Sequence, residues 1–319
     1  MSLTGSILAV DGESTQPPAN IDTEWETMRN SLSLSPGNES DDMAAIESWH
    51  ADHAGHLNAP DGTIPLLPTG TIEVDDAWLT ANEDGTHVYQ SGGRWIVDSI
   101  EITGRLETKT SDVTFRRCRI DMTNNDSWGI GHDPFYDAPY RNLEFEWITI
   151  DGGDQSTGDA FSFYTDNDIT DNLLFRHMDI FGMKSGLRLY GGETVTYSYV
   201  HDPFFEPGLH SAAASVRGDH VNVSRNLLIG ANSGALAVYA DNPPGLDDIL
   251  VEENSFARIV DVGTGYCTNH NKDDIDEGGP NSTNCRLIDN IYGTRCNGSV
   301  GEYWNTISGN LNLSGGSVG

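Results

Sequence analysis

Lysine is almost missing from this chain. Lys109, Lys184 and Lys272 are the only three in 319 residues, beside 14 Arg, 32 Asp and 17 Glu, for a formal net charge of -32. So acidic a surface repels the phosphate backbone, which proteins grip with Lys and Arg, so we expect no nucleic-acid partner. The same charge is self-repelling in dilute buffer. At molar salt the Debye length falls to ~3 Å and the repulsion is largely screened. Abundant carboxylates with so little lysine therefore mark a protein built for near-saturated salt. A run of about 18 apolar residues is also missing, which excludes a membrane-spanning helix. Met1 to Gly5 brings no basic region, and the apolar stretch Ile7 to Val10 is too short for a signal peptide. We therefore expect a chain that stays inside the cell or leaves it within a particle released by lysis. The four cysteines form no CxxC pair or His–Cys cluster with zinc spacing, so no structural zinc is expected.

What the chain does have is a repeat. VTFRRCRIDM at Val113 returns as LEFEWITIDG at Leu143, LLFRHMDIFG at Leu173, VTYSYVHD at Val195 and VNVSRNLLIG at Val221. It continues as ILVEENSFAR at Ile249, RLIDNIYG at Arg286 and NTISGNLNL at Asn305. With Phe115, Phe145, Phe175, Tyr197, Val223, Val251, Leu287 and Ile307 as markers, the spacings are 30, 30, 22, 26, 28, 36 and 20 residues. The internal period is two, with Val, Ile, Phe, Tyr and Thr dominant, so the units are strands. A unit of this length cannot bury its own apolar face and must stack on its neighbours. A second strand-like run follows most copies, for example SGLRLYGG at Ser185 and GALAVYAD at Gly234. Two short strands per turn joined by Gly, Asn and Asp describe an all-β fold, a right-handed parallel β-helix. Three positions after the marker stand Asn226, Asn254, Asn290 and Asn310, expected to form an inward asparagine ladder. No helical period accompanies the strands, which excludes ankyrin and leucine-rich arrays.

Residues 1 to 60 fall outside the repeat and are read as an N-terminal arm with capping or anchoring helices, residues 61 to 319 as the solenoid. Ile21 to Leu34 carries Trp25, Met28 and Leu32 at helical spacing, with Asp22 and Thr23 as cap candidates. Asp41 to Ala54 places Met43, Ile46 and Trp49 on one stripe, with Asp41 or Asp42 as cap. The helices are expected to plug the open end of the stack, to dock the protein on an assembly, or both.

One duplication lies outside the strand pattern: HDPFYDAP at 132 to 139 and HDPFFEP at 201 to 207. Aromatic faces flanked by carboxylates suit sugar rings, which offer apolar CH faces and peripheral hydroxyls. The candidate glycan- or receptor-binding ridge is Trp128, His132, Asp133, Phe135, Tyr136, Asp202, Phe204, Phe205, Glu206 and His210. The competing expectation is that these loops cover the side of the solenoid or form a subunit contact. Glycoside hydrolysis needs two carboxylates at set separations, and Asp151, Asp154, Asp159, Asp202, Glu206 and Asp219 offer many pairs. Among 49 acids such pairs are inevitable and discriminate nothing. Arg188 and Arg217, on second strands near acids, are the basic residues a lyase would need. No residue is assigned a catalytic role. Asp-rich stretches, DGGDQSTGD at Asp151 and NKDDIDE at Asn271, offer oxygen ligands for a structural calcium or magnesium ion, without matching an EF-hand loop.

Gly70 to Asp121 resembles the opening coils of right-handed β-helix proteins encoded by tailed phages and actinobacteria, and GYC at Gly265, CRLIDNIYG, RCNGSV and YWNTISGN resemble their last coils. The likeness spans roughly residues 60 to 312. Phage members are virion surface proteins: tail fibres, tail spikes, capsid turrets or decorations. With the acidic composition, which resembles that of haloarchaeal and haloviral proteins, this implies a virion surface protein of a haloarchaeal tailed virus. Its expected partners are other virion proteins through the N-terminal region, a host surface glycan or S-layer, and copies of itself. The alternative is a polysaccharide-cleaving depolymerase on the same scaffold. The resemblance also pairs Cys267 with Cys296, which match the cysteines of the family's last coils. Cys285 competes as the partner of Cys267, and Cys118 reads as a small buried residue.

Overall fold

The computed structural model describes residues 20–55, 70–122, 128–131, 141–154, 158–162, 172–208, 211–239, 246–259, 265–271, 282–293, 295–298, 300 and 304–319. These residues are mostly β, with parallel strands stacked coil upon coil into a solenoid-like body. A ten-stranded sheet forms one wall, called here the first sheet. A sixteen-stranded sheet is divided by the long strand Glu101–Thr108 into two arms, the second and third sheets.

Each complete coil contributes three strands rather than the expected two. Val113–Arg116 lies in the first sheet, Arg119–Asp121 in the second and Trp128–Gly131 in the third. The repeated motif is thus two strands around a corner. The corner residue adopts a left-handed backbone in Arg117, Trp147, His177, Tyr197, Arg225, Glu253 and Asp289, with φ between 51° and 59°. Turning there sends the apolar residues on both sides into one interior.

The first-sheet register is Phe115↔Phe145↔Phe175↔Val195↔Val223↔Val251↔Leu287↔Ile307. The fourth marker is therefore Val195, not Tyr197, which occupies the corner. Phe115, Phe145 and Phe175 stack face to face at 5.2 Å per step in the core. One residue past the corner, Asn226, Asn254, Asn290 and Asn310 form a column. Asn254 Oδ1 accepts from Asn226 N and Nδ2, both at 3.0 Å. Asn290 Oδ1 accepts from Asn254 N at 2.9 Å and Nδ2 at 3.1 Å, and Asn310 Oδ1 accepts from Asn290 in the same way. Each Nδ2 also donates to a carbonyl of the preceding coil, as from Asn254 to Val223 O at 2.8 Å. Ser198 continues the column, its amide donating to Asn226 Oδ1 at 2.8 Å and its Oγ accepting from Met178 N at 3.2 Å. A column with its polar groups so paired avoids the penalty of buried orphans. Cys267 and Cys296, with Cα atoms 5.3 Å apart, form a disulfide between adjacent coils, leaving Cys118 and Cys285 as buried thiols.

Three helices occur among the described residues: α1 (Ile21–Ser31), α2 (Glu39–His53) and α3 (Asp76–Asn82). The N-caps of α1 and α2 are Asn20 and Asn38, and neither makes a side-chain cap bond, so Asp22, Thr23, Asp41 and Asp42 are not caps. Asp42 is buried instead and accepts from Ser33 N at 3.1 Å, tying the helices together. Nor do these helices plug an end. They lie along the outer face of the second sheet, where Met43 and Ile46 join Tyr199, Leu227, Ala257, Ile291 and Leu313 from successive coils. Trp25 and Trp49 close on the corner residue Tyr197. The start of the stack is covered by α3, capped by Asp75 accepting from Trp78 N at 2.7 Å, with Leu79 buried in the solenoid core.

Candidate functional site

The third sheet presents a face different in kind. Leu187, Ala214, Leu236 and Thr268 point inward and are fully buried. The residue after each turns outward by strand alternation, and so does the column two before, because Ala160 and Ala213 in between are buried as well. One column runs Trp128↔Asp159↔Ser185↔Ala212. A second runs Glu107↔Gly131↔Ser162↔Arg188↔Ser215↔Ala237. Tyr190, Arg217 and Tyr239 follow at the strand ends. Small residues fill the middle columns, a strip called here the trough, in which Ser215 and Ala237 are themselves buried. One wall carries Trp128, with the Arg105 guanidinium 4.6 Å from its ring centroid. The other carries Tyr239, with Arg217 at 4.5 Å.

Asp159 and Arg188 hold the centre, Nε to Oδ2 at 3.1 Å. Burial raises the Asp159 pKa, and the positive charge of Arg188, a bond from Ser185, and Lys184 and Arg217 pull it back. Neutralising one buried partner would strand the other, so the pair acts as a unit. Beneath the wall Glu193 is fully enclosed. Burial pushes it up to about 8 although the amides of Tyr190 and Gly191 donate to it at 2.8 and 2.7 Å. Those bonds fix the Tyr190 turn, so Glu193 serves the shape of the site.

Of the expected ridge, Trp128 lies on this face. The chain leaves the third sheet at Gly131 to enter the first HDP copy, whereas the second copy follows Val200 and leaves the second sheet. The two copies therefore belong to non-equivalent turns. His132, Asp133, Phe135, Tyr136 and His210 lie outside the described residues. Asp202, Phe204, Phe205 and Glu206 precede the strand Ala212–Val216, three rungs from Trp128 in register, about 14 Å at normal strand spacing. Asp202 Oδ2 accepts from His201 Nδ1 at 2.6 Å, and Asp179 Oδ1 accepts from His201 Nε2 at 2.9 Å. Burial opposes the charge on His201, yet the two carboxylates raise its pKa overall. Phe204 is half-buried, its amide donating to Met183 O at 2.9 Å. The second HDP copy thus pins its turn to the wall.

Among the described residues no group of three or more His, Cys, Asp or Glu could hold a metal ion. Asp151, at the head of one Asp-rich stretch, is engaged by Arg119 at 2.8 Å and by Gly153 N at 3.0 Å. Of the first stretch only residues 155–157 lie outside the described residues, and of the second only residue 271 lies within them. No helix among the described residues is long and apolar enough to cross a membrane. The trough was missed in the sequence because its residues form no motif. Aligning SGLRLYGG, AAASVRG and GALAVYAD on inward Leu187, Ala214 and Leu236 would have placed Arg188, Ser215 and Ala237 in one column. No family model, curated protein or solved structure matches the chain.

Proposed function

We propose that this chain is a salt-adapted surface protein, a right-handed parallel β-helix that contacts a saccharide through the third-sheet trough and serves as a virion component of a haloarchaeal tailed virus. The right hand is the one that parallel strand crossovers take in about 98% of cases. The trough carries the binding reading: two aromatic walls flank a floor of Gly131, Ser162, Ser215 and Ala237, and a fixed Asp159–Arg188 pair supplies directed hydrogen bonds. Sugar rings ask for that combination of flat apolar faces and convergent polar groups. The virion and salt readings rest on the near absence of lysine, the net charge of -32 and the resemblance of the first and last coils.

Binding is favoured over cleavage because each carboxylate of this wall among the described residues is engaged by a cation. Asp159 is tied to Arg188, and the register pair Glu73 and Glu107 shares Lys109, with Glu73 at 2.9 Å. Glu107 is also held by Lys109 Nζ at 3.6 Å. The test is adsorption of the purified protein to haloarchaeal surface polysaccharide in molar KCl, with released oligosaccharides measured alongside. The proposal expects adsorption without release, weakened about tenfold or more by Trp128→Ala combined with Tyr239→Ala. Adsorption unchanged by the double variant removes the trough, and release abolished by Asp159→Asn makes the protein a depolymerase. Peptides of this chain in purified virus particles would support the virion reading; their absence from particles of a virus that encodes it would end that reading.

A further inference from the structure

We propose that the trough selects a polyanionic saccharide, one bearing carboxylate or sulfate groups; this rests on the saccharide reading above and adds the charge of the ligand. The chain has 17 Lys and Arg to set against 49 acids, yet Arg105, Lys184, Arg188 and Arg217 gather on this one face. Lys184, Arg188 and Arg217 all act on the Asp159 carboxyl. The carboxylates in the outward columns among the described residues are Asp159 and the register pair Glu73 and Glu107, which share Lys109 Nζ at 2.9 and 3.6 Å.

The other walls are balanced or acidic. On the first sheet Arg94 meets Glu144 at 3.1 Å and Arg176 pairs with Glu146. On the second, Arg119 is shared by Asp151 at 2.8 Å and Glu101 at 3.8 Å, with Asp121 and Asp179 nearby in the same strands. Among the described residues the third wall thus gathers five cations, Arg105, Lys109, Lys184, Arg188 and Arg217, beside three carboxylates, Glu73, Glu107 and Asp159.

The physics of high salt gives this clustering a purpose. Long-range steering is lost when the Debye length is ~3 Å, so an anion must be recognised by direct contact. The fork of a guanidinium does that, matching carboxylate or sulfate oxygens with two parallel bonds. Asp159 holds Arg188 by Nε at 3.1 Å, which fixes the plane of the fork before a ligand arrives. Nucleic acid is disfavoured, because backbone binding needs many cations along a groove and a net charge of -32 opposes it.

The test uses the full chain in molar KCl with four probes: polygalacturonate, dextran sulfate, unmodified dextran and oligo-dT. The inference expects either acidic polysaccharide to bind at least about tenfold more tightly than dextran. Arg188→Gln should remove most of that difference, and Arg188→Lys, which keeps charge but loses the fork, should fall between. Because Arg188→Gln strands Asp159, the double variant Asp159→Asn/Arg188→Gln provides a folded control, checked by circular dichroism. Equal affinity for acidic and neutral dextran overturns the charge selection while leaving the saccharide reading standing. A preference for oligo-dT, or no binding of any polysaccharide by folded protein, overturns both. Acidic binding undiminished in the double variant removes the site assignment.

Discussion

The second and third walls of the solenoid are built from the same inward residues and differ in what the chain does outside. Over the later coils of the second sheet the outward positions include Tyr199, Leu227, Ala257 and Ile291, and α1 and α2 cover them. Over the third they are Asp159, Ser185, Arg188 and Ser215, and no described helix packs there. The inside of a β-solenoid thus fixes the stack, and the outside of each wall is free to become either a docking face or a recognition face. The covered wall is fitted closely. A side chain at Gly55, whose φ is 66°, would collide with Asp179 Cβ, and one at Gly293 would collide with Met43. Glycine at these two points lets helix and wall approach.

The largest expected effect would break the covered wall with acid. His50 is buried among Trp25, Trp49 and Tyr199 with neither ring nitrogen partnered. Its pKa is lowered by burial first and by His177 and His53 second. His177 stacks between Trp147 at 4.1 Å and Tyr197 at 5.4 Å, and its Nδ1 meets His53 O at 2.8 Å. Burial lowers it to about 3. The surrounding charges are Glu24 on His53 at 3.0 Å, Glu47 on Tyr199 at 2.7 Å, Asp22 on Tyr197, and Arg176 beside His177. A base whose folded pKa is depressed gives stability present above its unfolded value of about 6.5 and lost as pH falls below it. For His177 the window runs from about 6.5 down to about 3, worth at most ~4–5 kcal/mol, and His50 adds in the same direction. His201, with its raised pKa, works the other way by gaining stability when protonated. Hydrogen exchange should therefore show residues 21 to 53 losing protection in acid before the third-sheet strands do. His50→Phe with His177→Tyr should flatten that dependence; an unchanged profile would separate the histidines from hairpin docking.

Next in size is Ile46→Ala. Ile46 is fully buried between α2 and the second sheet, so truncation should cost about 2–4 kcal/mol of docking. The comparison is sharpened if the loss appears in hairpin exchange and not in the solenoid. Asn254→Ala strikes the shared interior instead. It takes the partner from Asn226 N and one partner each from Asn226 Nδ2 and Val223 O, for about 2–3 kcal/mol read as a fall in the global unfolding midpoint.

How much of this was written in the chain differs by level. The stack was legible, since period-two runs recurring at coil-sized spacing leave few other folds, and the asparagines stood at one register. The three-strand coil was not, because its corner is made by Arg117, Trp147, His177, Arg225 or Glu253, residue types that carry no turn signal. Where the preceding turn uses Asn142 or Asn172, also left-handed, the sequence does advertise it. The slip at Tyr197 has the same origin: Val195, Tyr197 and Tyr199 alternate like one strand, and nothing local says that Tyr197 turns out to meet Trp25 and Trp49. The position of the helices was hidden because an amphipathic stripe reports that a helix is covered, not by what. The trough was hidden for a plainer reason. Its parts sit one per coil, 26 and 27 residues apart from Asp159 through Ser185 to Ala212, hence invisible without the strand register.

The smallest expected effect on stability tests whether the wall that carries no described helix is spared for recognition. Tyr239 is half-buried at the rim, with the Arg217 guanidinium 4.5 Å from its ring. Exposed contacts of this type contribute ~0.5–1 kcal/mol. Tyr239→Ala should accordingly shift the unfolding midpoint far less than Ile46→Ala, although a larger side chain is removed. Packing of side chains opposes that expectation if the third wall is structural, since truncating a load-bearing aromatic costs about 3–5 kcal/mol. A midpoint change of that larger size would make both walls structural and erase the contrast between them. A small change, with saccharide adsorption falling, would leave the third wall as the face the solenoid holds out to its ligand.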